Sequence, residues 1–374
     1  MPSICIVNPH YIKETIGGAE VQLYLLAKAC IGAGWTVHYV TGDVDEEGEE
    51  DGIRLIPFRE RGRGFSKNFS ILKTLLLDID ADLYVQRGRK LDTALVGRFA
   101  EATERRFAFF TSMDIDTMRY KNMVRLKGSR ADFLKRLTLG LPALREDRRT
   151  LAGIKAADVV FCQTRFQQEQ LRRNVGIDSE LFPNMLPVPA EKKIHKKDPP
   201  VVLWLASLKA WKRPELFMHM AQRLESLPCR FVLAGRVTNP RFQAALFDLQ
   251  KRQKNFEFVD RVSFKKSGEL IARAGLFVNT SMGYEGFPNT FIQAWMRKTP
   301  VVSLEFDPDG LLVDKKIGFC SGTYEQMCVD VETLVSDPSL REEMGGRARA
   351  FAADAFGLEK RFPRLLERFE MMIE

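Results

Sequence analysis

The stretch Leu276-Phe-Val-Asn-Thr-Ser-Met-Gly-Tyr-Glu-Gly-Phe-Pro-Asn-Thr-Phe-Ile-Gln-Ala-Trp295 holds the local signals from which the fold is read. Leu276–Thr280 is an apolar run of strand length. A Gly-containing polar segment interrupts it, and Pro288 suits the first turn of a helix. Phe291, Ile292 and Trp295 then recur at helical spacing and give that helix an apolar face. The order is strand, loop, helix, and it repeats outward in both directions. Beyond it lie the short apolar runs Pro300–Glu305 and Gly318–Ser321. Before it lie Phe256–Asp260, Arg230–Gly235 and Val201–Ser207. Earlier still come Val159–Thr164, Phe107–Ser112, Leu83–Arg87, Ile53–Phe58, Thr36–Thr41 and Ile4–Asn8. Amphipathic stretches such as Glu20–Ala33 and Pro214–Leu224 lie between them. Such alternation predicts an α/β protein with parallel sheets covered by helices on both faces.

The series has one break. Asn184-Met-Leu-Pro-Val-Pro-Ala-Glu-Lys-Lys-Ile-His-Lys-Lys-Asp-Pro-Pro200 is proline-rich, charged and aperiodic, and reads as a linker. At 374 residues the chain has room for two α/β cores. The expected organisation is a Rossmann-like domain over 1–187, a linker over 188–200 and a second Rossmann-like domain over 201–357. The terminal helix, 358–374, packs back on the first domain. Two such domains facing each other across a cleft place their ligand loops at the carboxyl ends of the strands.

Composition excludes several classes. No segment reaches the roughly 18–20 uncharged apolar residues of a membrane span. The N-terminus enters a strand at once, without the basic and long apolar regions of a signal peptide, which predicts a cytosolic location. The cysteines at 5, 30, 162, 229, 320 and 328 show no CxxC spacing and read as reduced, buried thiols; the four histidines form no metal pattern. The net charge of +8 favours polyanionic partners. Much of it crowds into 121–149, where Lys121, Arg125, Lys127, Arg130, Lys135, Arg136, Arg145, Arg148 and Arg149 interleave with Met123, Leu126, Phe133, Leu134, Leu137 and Leu141. That pattern suits an anionic membrane surface or an ordinary amphipathic helix. No nucleic-acid motif or aromatic platform accompanies the charge.

Three loops carry chemistry. After Ile4–Asn8, Gly17 and Gly18 open a helix, where close backbone approach and free amides suit an anion or a plain tight turn. After Val201–Ser207 come Lys209, Lys212 and Arg213, cations placed to hold a diphosphate. After Leu276–Thr280, Glu285 precedes the helix and Gln293 lies about two turns into it. The loop Gly286, Phe287, Asn289 and Thr290 offers amides to phosphate, and the carboxylate suits hydroxyls.

In this order, the three loops resemble those of the family 4 glycosyltransferases, retaining enzymes of the two-domain glycosyltransferase B fold, and the resemblance spans essentially the whole chain. Val160–Gln168, with Phe182-Pro-Asn184, is similar to the strand and helix ahead of that family's linker. Glu285 and Gln293 match its signature of two glutamates separated by seven residues, and Arg297–Val302 fits the segment on its carboxyl side. Two positions depart: Gln293 stands where the family has its ribose-binding Glu, and Ser207 where it has a phosphate-binding Arg. The resemblance implies transfer of a sugar from a UDP- or GDP-linked donor to a glycan, lipid-linked or small-molecule acceptor, without a metal. Glu285 then grips sugar hydroxyls, Gln293 the ribose, and Lys212, helped by Lys209 or Arg213 and by amides of Gly17-Gly18 and the Gly286–Thr290 loop, the donor's phosphates. Asp114, in Asp114-Ile-Asp116 after Phe107–Ser112, is a candidate on the sugar or acceptor side. An impaired sugar-nucleotide-binding relative and a sugar-nucleotide epimerase are the alternative readings.

Overall fold

The computed structural model describes residues 1–374 apart from 13–16, 60–63, 129–132, 238–239 and 284; of 127–128, 133–137, 193, 240 and 241 only the backbone is described. The chain forms two units, Met1–Met185 with Arg361–Glu374, and Leu186–Lys360.

The first unit is built on eight strands: β1 (Ser3–Val7), β2 (Thr36–Thr41), β3 (Gly48–Glu50), β4 (Ile53–Pro57), β5 (Leu83–Arg87), β6 (Arg106–Phe110), β7 (Val159–Cys162) and β8 (Glu180–Leu181). Their order in the sheet is β3-β4-β2-β1-β5-β6-β7-β8. All neighbours run parallel except the β3–β4 hairpin. Every residue of β5 and all but the first of β1 are buried, because helices cover both faces of a parallel sheet. From Arg361 on, the last helix, Leu358–Ile373, belongs to this unit. It sets Phe369 against Phe161, Trp35 and Phe110 with ring centroids 6.3, 6.4 and 6.5 Å away.

The second unit has six strands, all parallel: β9 (Val201–Leu205), β10 (Arg230–Ala234), β11 (Phe256–Val259), β12 (Ala274–Asn279), β13 (Val301–Ser303) and β14 (Gly318–Cys320), in the order β11-β10-β9-β12-β13-β14. Its core joins Trp204, Phe217, Phe231, Leu276 and Val302 to the helix Tyr324–Ser336 through Met327, Val331 and Leu334. In both sheets the order reverses once, between β1 and β5 and between β9 and β12. In doubly wound sheets that reversal opens the crevice in which ligands bind.

All twelve runs read from the sequence are strands, with ends within two residues of those expected. The two that were not anticipated are edge strands. Gly48-Glu-Glu50 has no apolar residue and is held by its hairpin with β4, and β8 is two exposed residues long. The proline-rich stretch is tied to the second unit rather than free. Leu186 bridges Gly357, Glu191 pairs with Lys298, and Lys196 Nζ donates to the Ala274 carbonyl and to Thr299 Oγ1 at 2.6 Å each. Among the described residues, no helix is long and apolar enough to cross a membrane.

Candidate active site

The strands β9 and β12 lie side by side at the reversal of the second sheet, so the loops leaving their carboxyl ends meet. Trp204 in β9 donates its indole N–H to Thr280 Oγ1 at 2.9 Å. The same buried hydroxyl lies 2.7 and 3.0 Å from the carbonyls of Lys212 and Arg213, to which it donates. A buried hydroxyl is costly without partners, and this one is fully engaged. Met282 N–H donates to the Trp211 carbonyl at 2.9 Å. Arg213, in the left-handed region at φ 48°, donates to the carbonyls of Thr280 (2.7 Å) and Ser281 (3.1 Å) and pairs with Glu305 at 2.9 Å. Its guanidinium is therefore a brace between the two loops, where the sequence suggested a phosphate cation. Beneath them, a Cβ on Gly235 at the end of β10 would stand 1.8 Å from the Ala206 carbonyl oxygen, so only glycine permits this approach.

The laced loops carry one ion pair inward, between Lys212 Nζ and a carboxylate oxygen of Glu285. Glu285 is buried, and Lys212 is nearly so, with its ammonium 4.3 Å from the centre of the Trp211 ring. Burial pushes the Lys212 ammonium down to about 7, and the charge of Lys209 acts in the same direction; the Glu285 carboxylate opposes both. Lys209 itself is exposed. Next to Glu285, Gly286 and Phe287 are buried, and the Phe287 ring packs on Phe356 and Trp295 with centroids 4.9 and 6.1 Å apart. The side chain of Phe287 is thus a core anchor, leaving its backbone to face the loop. Asn289 and Thr290 open the short helix Asn289–Trp295. Gln293, one turn further, is buried with its Oε1 3.3 Å from Ser267 Oγ. A confined cation beside a confined carboxylate at the ends of parallel strands suits a ligand that bears both phosphate and hydroxyl groups.

Residues 199–337, which include β9 to β14 and both loops, match the family of glycosyl transferases, group 1. That segment of the chain is similar to the group 1 glycosyl transferases. Known structures extend the likeness to both units. Sucrose-phosphate synthase from Thermosynechococcus elongatus superposes with a TM-score of 0.78 at 15% identity, over 100% of this chain and 99% of that one. Anabaena Alr3699/HepE in complex with UDP-glucose gives 0.72 at 14%, over 99% of each. WaaG, a glycosyltransferase of lipopolysaccharide biosynthesis, gives 0.71 at 16%, over 98% and 99%. At such identities the likeness is one of fold, the glycosyltransferase B fold. No curated protein sequence matches the chain.

In the first unit, Gly17 caps the helix Gly18–Gly32, and the Glu20 side chain folds back over it; a Cβ on Gly17 would lie 2.1 Å from Glu20 Oε2. The place expected to receive an anion thus already holds a carboxylate, with Lys90 Nζ 3.9 Å from it. Asp114 begins a 3₁₀ turn, Asp114–Thr117, and its Oδ1 accepts from Gln167 Nε2 at 2.9 Å. Asp114 and Asp116 are both buried. Burial raises the Asp116 carboxyl, but Lys121 Nζ at 2.7 Å and the amides of Ser112 and Met113 outweigh that and hold it below its ordinary range. Lys121, read as part of a basic surface, is therefore a buried partner, while Arg145 and Arg148 are exposed beside exposed Leu139 and Leu141. The Arg149 guanidinium lies 4.5 Å from the Phe65 ring centre. The side chains of Lys127, Phe133, Leu134, Lys135, Arg136 and Leu137, and all of Arg130, lie outside the described residues.

Sequence reasoning missed Trp204, Thr280 and Gly235 as supports of the site. Their signal was faint: a Trp inside an apolar run, and polar or glycine residues as the last position of two others.

Proposed function

We propose that the protein is a glycosyltransferase that moves a sugar from a UDP- or GDP-linked donor to a glycan, lipid-linked or small-molecule acceptor, with retention of anomeric configuration and without a metal. The observation that carries this reading is the confined Lys212–Glu285 pair where β9 and β12 end. A diphosphate competes for the Lys212 ammonium, and the Glu285 carboxylate it displaces becomes an acceptor for sugar hydroxyls. As the bond from the anomeric carbon to phosphate breaks, its electron pair goes to the departing diphosphate. Lys212, with exposed Lys209 behind it, stabilises that growing charge more in the transition state than in the ground state. Amides of Gly286, Phe287, Asn289 and Thr290 contribute in the same sense. Gln293 serves the ribose, since an amide both accepts and donates. The solved complexes of HepE with UDP-glucose and of starch synthase IV from Arabidopsis thaliana with ADP and acarbose support a nucleotide ligand on this fold.

The first unit takes the acceptor in this reading, with Asp114 on that side. The chain works in the cytoplasm, and its 121–149 region touches an anionic membrane surface. Flotation with anionic liposomes tests the last point: a protein left wholly in the soluble fraction contradicts it. The donor reading is tested by a thermal-shift screen of UDP, GDP, ADP and their sugars, followed by NMR of the transfer product. At least one nucleotide sugar raises the melting temperature, and the new glycosidic bond keeps the donor's configuration. An inverted product refutes the mechanism, and stabilisation by none of them refutes the donor site.

A further inference from the structure

Two helices of the second unit, Phe264–Arg273 after β11 and Asn289–Trp295 after the Glu285 loop, meet beside Gln293. Gly268 permits the close approach. A Cβ there would lie 2.9 Å from Arg297 Nη2, and Nη1 of the same guanidinium donates to the Gln293 backbone carbonyl at 3.2 Å. The backbone at 293 is thereby held, and its side chain is buried against Ser267, which is buried as well. Ser267 Oγ lies 2.6 Å from the Phe264 carbonyl and 3.3 Å from one end of the Gln293 amide. Among the described residues, the other end of that amide has no partner.

A serine hydroxyl carries a single proton. Here it goes to the Phe264 carbonyl at 2.6 Å, the shorter of the two contacts, so Ser267 turns only lone pairs toward Gln293. An amide oxygen set against those lone pairs is repelled, whereas an amide NH₂ forms a hydrogen bond with them. A half-turn of the terminal amide exchanges its two ends and leaves every other contact in place. We infer that Ser267 is a positioning residue: it holds the Gln293 amide with Nε2 inward and the oxygen outward, so that this side chain accepts from one ligand hydroxyl and donates to none. That the hydroxyl belongs to a ribose rests on the donor reading above. The same arithmetic accounts for Gln beside this serine. A carboxylate would set a charged oxygen against the Ser267 lone pairs, while the amide places a donor there and keeps an acceptor for the ligand.

Titration calorimetry on the full chain tests this with UDP, GDP and ADP, and with forms of each in which the 2′- or the 3′-hydroxyl is replaced by fluorine or by an amino group. Fluorine cannot donate a hydrogen bond; an amino group can. For a diphosphate that binds, fluorine at one of the two positions weakens affinity about fivefold, the loss of one hydrogen bond, and the amino form at that position binds like the parent. Ser267→Ala weakens the parent by a similar factor and leaves the fluorine form nearly unchanged, because the bond that the serine aligns is already missing there. Ser267→Thr, which keeps the hydroxyl, restores the parent's affinity. If fluorine weakens binding but Ser267→Ala acts equally on parent and fluorine forms, the serine is merely structural; the inference falls and the donor reading stands. If a nucleotide binds and neither hydroxyl matters, the placing of Gln293 on the ribose falls and takes the inference with it. If none binds, the donor site falls as well.

Discussion

The two reversals of strand order have the same topology and opposite character. Between β9 and β12 the loops are stitched through Thr280, Arg213 and the Met282 amide, and they close on the Lys212–Glu285 pair. Between β1 and β5 the corresponding loops are joined by Lys90 Nζ donating to Asn8 Oδ1 at 3.1 Å and border an open cavity. Topology supplies a place for a ligand in each sheet, and the side chains decide what the place does. The closed site concentrates charge in a preorganised setting, as transfer of a phosphate-linked group requires. The open one offers volume and hydrogen bonds, as selection of a partner requires.

Substitutions at the closed site are therefore expected to act on rate, and those at the open site on affinity. Lys212→Met lowers kcat by about 10²–10³-fold, the usual cost of removing one preorganised charge stabiliser; Lys90→Met raises the acceptor KM with a smaller change in kcat. Steady-state kinetics with varied acceptor separate the two. Equal kcat losses in both variants would erase the distinction drawn here.

The next effect is on stability and belongs to the first unit. Asp116→Asn leaves Lys121 buried without its counter-charge and costs about 3–5 kcal/mol, read by urea denaturation. Because the folded state holds the Asp116 carboxyl below its ordinary value, the stability it confers is complete above that value and is lost as pH falls through and below it. Acid unfolding of the wild type is steeper than that of the variant. In the second unit Gly235→Ala costs about 1–3 kcal/mol, because the new methyl group meets the Ala206 carbonyl and moves the lysine loop. Nucleotide-sugar binding weakens with it, while the first unit's cavity is untouched.

The smallest effect concerns protons. Burial and Lys209 lower the Lys212 ammonium to about 7, so part of the free protein lacks that proton above neutrality, whereas a bound diphosphate demands it. Affinity for a nucleotide sugar falls roughly several-fold between pH 6.5 and 8.5, and binding takes up protons. Calorimetry in buffers of different ionisation enthalpy measures the uptake. Affinity that is flat or rises with pH would show that Glu285 keeps Lys212 fully charged in the free protein.

The fold was legible because each buried parallel strand is a short apolar run between helical patterns. Only edge pieces without that signature, Gly48–Glu50 and Glu180–Leu181, escaped it. The loops that carry Lys212 and Glu285 could be found, since Gly, Pro and charge cluster after strands. Their partners could not. Whether Arg213 points to a ligand or to the carbonyls of Thr280 and Ser281, and whether Lys121 is solvated or buried against Asp116, depends on contacts between residues far apart in sequence. His10 and Asp43, 33 positions apart, become neighbours only when β1 and β2 pair.

The most direct test is a structure of the chain with whichever nucleotide sugar stabilises it most. The Lys212 ammonium is expected to have left Glu285 for a phosphate oxygen, with the Glu285 carboxylate accepting from hydroxyls of the donor sugar. A bound donor with Lys212 still paired to Glu285, or one seated away from the ends of β9 and β12, would contradict the account.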